Sequence, residues 1–193
     1  MRVLAALALV LASCGGTAAA PTPTPIQTRV PTATAPSFPS PTTTVCATAG
    51  DVGKPATKAT IVLARGEIAI ALRADKAPNT VANFAKNARE CRYNGLIFHR
   101  VESWVIQGGD PLGTGTGGGN QPTELSDLPF SKGAVGIARG PDPRVSNLMQ
   151  FFVLTQDARH LDNAYTNFGR VTAGQDVADR VQRGDRILAI RIE

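Results

Sequence analysis

From residue 60 the chain reads TIVLARGEIAIAL, two runs of β-branched and aliphatic residues on either side of Arg65-Gly66, the pattern of a β-hairpin. Similar short runs recur at 96–101, 103–107, 133–138, 150–154 and 167–172. The closing RILAIRIE alternates Leu188, Ile190 and Ile192 with Ala189 and Arg191, as in a half-buried strand. Only two stretches carry helical spacing. One, about 78–91, opens on Pro78, aligns Val81, Phe84, Ala85 and Ala88 on one face, and is stopped by Asn94-Gly95. The other, about 174–183, places Val177 and Val181 on one side and ends at Gly184. Most neighbouring strands have no helix between them, so they cannot form a parallel sheet with crossovers. The expected fold is mainly β: a closed antiparallel β-barrel capped by two α-helices.

Composition divides the chain. Between Pro21 and Val45, 25 residues hold seven prolines and eight threonines, and Arg2 and Arg29 are the only charges before Asp51. Such a segment lacks the apolar residues that offset ordering entropy, so it reads as an extended, disordered tether. Ahead of it, Arg2 precedes a ten-residue apolar run from Val3 to Ala12, short of the roughly 20 residues a spanning helix needs and suited to a signal peptide. Its end, Leu11-Ala12-Ser13-Cys14-Gly15, resembles the lipobox of bacterial lipoproteins. That resemblance implies cleavage after residue 13 and lipidation of Cys14. The expected organisation is a signal peptide at 1–13, a lipidated cysteine and tether at 14–45, and a folded domain at 46–193. The expected location is outside the cytoplasm, anchored to a membrane.

Beyond Cys14 there are two cysteines, Cys46 and Cys91, without the spacing of a zinc or redox motif. A disulfide between them is permitted outside the cytoplasm, and a free Cys91 near a helix end is the alternative; the sequence leaves both open. From residue 46 onward the balance is 18 basic against 15 acidic residues, without a basic stripe, which argues against nucleic acid as a partner. The glycine run GTGTGGG at 113–119 lacks the Lys-Ser/Thr and the helix of a phosphate-binding loop. It reads as a wide loop whose backbone can approach a ligand closely. The two histidines, His99 and His160, have no acidic partner at ligand spacing, so no metal is expected. Cys91 near a helix C-terminus is poorly placed for a nucleophile, because the dipole disfavours a thiolate there.

What remains is a set of polar residues beside apolar ones: Phe98-His99-Arg100-Val101, Gln107-Gly108-Gly109-Asp110-Pro111, Gly115-Thr116-Gly117-Gly118, Gly136-Ile137-Ala138-Arg139, Gln150-Phe151-Phe152-Val153, His160-Leu161-Asp162 and Phe168-Gly169-Arg170-Val171. In this order, from about Ala59 to Glu193, they resemble the cyclophilin-type peptidyl-prolyl isomerases. The resemblance implies a cyclophilin-like barrel acting on proline-containing polypeptides without a cofactor, as a monomer. It implies Arg100 as the catalytic arginine, with Gln107 and Gln150 holding the arginine and the peptide. It further implies that Trp104, Val105, Phe152 and Leu161 wall a proline pocket. The backbone at Ala138 and Arg139 would pair with the peptide, and His99, His160 and Tyr165 would line the rim.

The chain departs from the family pattern in places. Three residues, Val101-Glu102-Ser103, separate Arg100 from the aromatic, where four are usual, and that aromatic is Trp104 where phenylalanine is usual. Leu148-Met149 replaces the common Gly-Ser before Gln150. His160 stands where many members carry tryptophan, implying weak inhibition by cyclosporin. These differences bear on efficiency, and the alternative to an active isomerase is a catalytically weak, tethered peptide-binding or chaperone module.

Overall fold

The computed structural model describes residues 55–193; the expectations for the signal peptide, Cys14, the tether and Cys46 lie outside the described residues. The elements are β1 (Lys58–Leu63), β2 (Gly66–Leu72), α1 (Pro78–Arg89), β3 (Phe98–Glu102), β4 (Val105–Gly108), β5 (Asn120–Pro122), β6 (Ala134–Arg139), β7 (Val145–Leu154), β8 (Asn167–Ala173), α2 (Gln175–Ala178) and β9 (Ile187–Ile192). A short 3-10 turn spans Arg159–Leu161. The strands pair antiparallel in the order β3-β4-β7-β6-β8-β2-β1-β9, with β5 set against the start of β7.

The expected barrel is therefore an antiparallel sheet that curls without closing along its strands. Its two ends touch at one bridge, Ile97 with Arg186, supported by Gly95 N–H to Ile187 O at 2.8 Å and Gly184 N–H to Phe98 O at 2.9 Å. The register of β3 shifts between Phe98 and Arg100, and a bulge of this kind bends a strand away from its line. Only the residues leading into β3 consequently reach β9.

Three local expectations are corrected. The second helix is a single turn at 175–178, and its continuation tightens to bonds of Arg180 N–H to Val177 O and Val181 N–H to Ala178 O. Val177, Ala178 and Val181 are nonetheless buried, so the apolar spacing serves packing without a long helix. The strand expected from 150, β7, starts at Val145, which lets Asn-Gln-Pro at 120–122 pair with it as β5. Finally, α1 ends at Arg89, before Asn94-Gly95: Cys91, in the left-handed region at φ 56°, turns the chain, with Cys91 N–H bonded to Ala88 O and Arg92 N–H to Asn87 O. Cys91 is disulfide-bonded, its partner lying outside the described residues.

The N-terminus of α1 has no side-chain cap from Ala77. Glu124 takes that role from the far side of the glycine run, accepting Asn79 N–H at 3.0 Å and Thr80 N–H at 2.7 Å. Burial pushes this carboxyl up, but the Thr80 and Asn79 donors outweigh it and hold it below its ordinary value. Its stabilising contribution is thus present above the usual carboxylate range and is lost as pH falls through the lowered value. Glu124→Ala is expected to cost about 1 kcal/mol, up to roughly 2, read as a lower denaturant midpoint at neutral pH.

The core lies between α1 and the concave sheet. Phe84 of α1 meets Tyr93, Phe151 and Phe168 at ring distances of 5.3, 5.5 and 5.2 Å. Side chains alternate across β7, so Phe151 enters this core while Phe152 joins a second cluster with Val105, Phe130, Ala134, Ala138, Leu154 and Leu161 on the other face. Trp104 and Tyr165, partly buried, pack against that second cluster.

Candidate active site

The antiparallel register sets Arg100 of β3 directly across from Gln107 of β4, and Gln107 across from Phe152 of β7. Opposed residues share a face, so the guanidinium, the amide and the ring gather without help from a loop. Arg100 Nη1 donates to Gln107 Oε1 at 3.2 Å, Gln107 Nε2 to Gln150 Oε1 at 3.0 Å, and Gln150 Nε2 to Gly117 O at 2.8 Å. This relay can run only one way. Arginine can only donate and a backbone carbonyl can only accept, so the orientation of both intervening amides is dictated by the two ends.

The relay gives the glycine run its role. Gly117 O approaches side chains of the protein, accepting from Asn147 Nδ2 at 2.8 Å as well as from Gln150. A Cβ at Gly117 would lie 2.3 Å from Asp110 Oδ1, so only glycine fits there. Asp110 is buried and organises the loop by accepting N–H bonds from Leu112 at 3.0 Å and Thr114 at 2.9 Å, together with Gly115. Burial alone would raise this carboxyl, but those backbone donors prevail and hold it below its ordinary value.

Arg100 is further engaged by Glu102, whose Oε1 accepts from Nε at 2.7 Å, and by Trp104, whose ring centre lies 5.4 Å from the guanidinium carbon. The Arg100 hydrogen bond is the main reason the Glu102 carboxyl lies below its ordinary value. Nη2 of Arg100 makes no hydrogen bond to the described residues. Beside it is a hollow of about 80 Å³ bordered by Arg100, Trp104, Val105, Gln107, Ala138, Arg139, Phe152, Leu161 and Tyr165. Phe152 is braced from behind by Phe130 in a stacked pair at 5.8 Å and from the side by Tyr165, edge-on at 6.1 Å.

Not every residue expected at the site reaches the hollow. Gln150 is buried behind it and acts through Gln107. His160 is exposed, does not border the hollow, and meets Trp104 in a T-shaped pair with ring centres 5.4 Å apart. His99 sits in the β3 bulge, buried, with its ring against Gly115 and with neither ring nitrogen hydrogen-bonded to a described residue. Burial pushes its imidazole below the ordinary value of 6.5; Asp110 opposes this, and Arg100 and Arg183 reinforce it. The folded chain therefore holds this proton less tightly than the unfolded chain. Its contribution to stability is complete above about pH 6.5 and is lost as pH falls below it. His99→Gln is expected to flatten the slope of unfolding free energy between pH 7 and about 5, measured by urea denaturation.

Glu102, Phe130, Asn147 and Gly117 were not expected at the site. Glu102 had a readable signal, since it stands two residues after Arg100 on a strand and so shares its face. The other three act through long-range pairing that no local pattern announces.

The family described as cyclophilin type peptidyl-prolyl cis-trans isomerase/CLD matches residues 58–192. A probable peptidyl-prolyl cis-trans isomerase of Brucella suis is 39% identical over 134 residues, covering 62% of this chain and 68% of its own. Peptidyl-prolyl cis-trans isomerase B of Bacillus subtilis is 41% identical over 133 residues, covering 66% and 91%. Among solved structures, a Cryptosporidium parvum cyclophilin type isomerase superposes with a TM-score of 0.66 at 24% identity, covering 72% of this chain and 98% of its own, and it was also determined in the presence of the dipeptide Ala-Pro. With sheet order, motif order and relatives in agreement, this chain belongs to the cyclophilin-type peptidyl-prolyl cis-trans isomerases, enzymes that accelerate rotation about X–Pro bonds.

Proposed function

We propose that the chain works outside the cytoplasm, held to a membrane through a lipidated Cys14, and isomerises X–Pro bonds of proteins folding there. The observation that carries the catalytic part is a guanidinium anchored through Nε and Nη1 at the lip of an apolar hollow, with Nη2 uncommitted. The X–Pro amide resists rotation because nitrogen shares its lone pair with the carbonyl, a barrier of ~18–20 kcal/mol. In the twisted transition state that sharing is lost and nitrogen becomes a basic amine. A donor aimed at this nitrogen is stronger in the transition state than in the planar ground state, which is the only kind of binding that accelerates the step.

Arginine fits the task because it stays protonated and can be gripped by one part of its fork while donating with another. Gln107 supplies the grip, Gln150 and Gly117 orient Gln107, and Glu102 fixes the Nε edge. Val105, Phe152, Leu161 and Trp104 take the proline ring, and the Ala138–Arg139 backbone pairs with the extended peptide. Apolar walls also disfavour the planar amide, the more polar form, relative to the twisted one. No proton moves and no covalent bond forms.

Two features support the location. The lipobox-like stretch ends at Cys14, and Cys91 is disulfide-bonded, a state that persists in oxidising compartments. Detergent phase partitioning of cells making the full chain tests it: wild type is expected in the detergent phase and Cys14→Ser in the aqueous phase. Equal partitioning refutes the anchor. One observation favours a weaker catalyst, the Glu102 carboxylate that offsets the charge of Arg100 at 2.7 Å. In that reading the chain binds proline peptides with little turnover, and Arg100→Ala matches wild type in rate.

A further inference from the structure

Two guanidiniums border the hollow, and their charges are engaged differently. Arg100 is ion-paired with Glu102 at 2.7 Å. Arg139 is held just as firmly, but by neutral groups: Nε donates to Ala164 O at 2.8 Å, Nη1 to Gly140 O at 2.9 Å, and its guanidinium carbon stands 4.4 Å from the centre of the Tyr165 ring. Asp142 feels the field of Arg139, yet its carboxylate is ion-paired with Arg144 at 2.9 Å. Asp162, on the chain beyond Leu161, is taken by Arg159 and by Phe130 N–H. Among the described residues Arg139 therefore forms no ion pair, although it is one of the most tightly oriented side chains of the hollow.

Carbonyl oxygens and a ring face order a guanidinium without cancelling its charge. A cation ordered beforehand can receive a carboxylate without a further loss of side-chain freedom. The charge of Arg100 is offset by Glu102, so Arg139 is the cation bordering the hollow that no carboxylate of the described residues compensates. We propose that Arg139 is a specificity-determining residue that selects substrates bearing an acidic side chain next to the proline. This rests on the reading that the hollow receives the proline of an X–Pro bond.

The test is the full chain assayed by NMR exchange on proline tetrapeptides carrying Glu, Ala or Lys immediately before or immediately after the proline. At one of the two flanks the kcat/KM order is expected to be Glu, then Ala, then Lys, with Glu over Lys by roughly twofold to fivefold at low salt. The preference should collapse near 1 M salt, where screening reaches about 3 Å. Arg139→Gln should abolish it, while Arg139→Lys, which keeps the charge and loses the planar fork, should retain part of it. A wild-type ratio near one at both flanks, or an unchanged ratio in Arg139→Gln, overturns the proposal. If Arg139→Gln does not fold, the wild-type ratio, its salt dependence and the Arg139→Lys ratio still decide. A chain that turns over none of the peptides, the all-Ala one included, refutes the isomerase reading instead, and Glu-against-Lys peptide affinities from NMR titration then judge charge selection separately.

Discussion

Arg100→Ala lowers kcat/KM on an Ala-Pro tetrapeptide by about 10- to 150-fold, because a hydrogen bond from a charged donor contributes roughly 1.5–3 kcal/mol net. The measurement is a protease-coupled or NMR isomerisation assay, with thermal melting as a control. Melting should barely move: the side chain is 41% exposed, and its pairing with the 46% exposed Glu102 is of the kind worth little to stability. Arg100→Lys should recover only a fraction of the loss, since an ammonium cannot hold Gln107 and Glu102 in one plane and still present a further donor. Equal rates for wild type and Arg100→Ala refute the catalytic assignment.

Phe151→Ala should instead act on the fold. Phe151 is fully buried and meets Phe84, Tyr93 and Phe98 nearly edge-on at 5.5, 5.7 and 6.1 Å. Removing such a ring costs about 3–5 kcal/mol, a large part of the roughly 5–15 kcal/mol that stabilises a domain. The midpoint of thermal unfolding should fall on the order of 10 °C or more. Its neighbour Phe152 faces the hollow, so Phe152→Ala should also raise KM, whereas molecules of Phe151→Ala that remain folded at low temperature should keep a near wild-type KM. A similar KM in both variants would contradict the two-faced packing of β7.

Much of this was legible from residue patterns. Alternation located the strands around TIVLARGEIAIAL and RILAIRIE, because a pleated surface half in water demands it. The residues named for the hollow came from the family resemblance, not from any local pattern. The features without a local signal share a cause. Strand β5 is Asn-Gln-Pro, without strand propensity, and exists because β7 begins early enough to pair with it. Glu124 caps a helix 45 residues upstream in sequence, an arrangement no local rule encodes. The turn at the end of α1 falls on a cysteine where glycine is usual. The resemblance implies His99 at the rim, but the bulge between Phe98 and Arg100 takes it out of the alternation that would aim it there.

One end of the amide relay is main chain, and this has an evolutionary reach. A side chain at position 117 would act on that acceptor only by displacing the loop, since a Cβ there collides with Asp110. Turnover in such a scaffold can thus be tuned by gaining or losing residues between 113 and 119, remote from the proline seat, while every lining residue stays as it is.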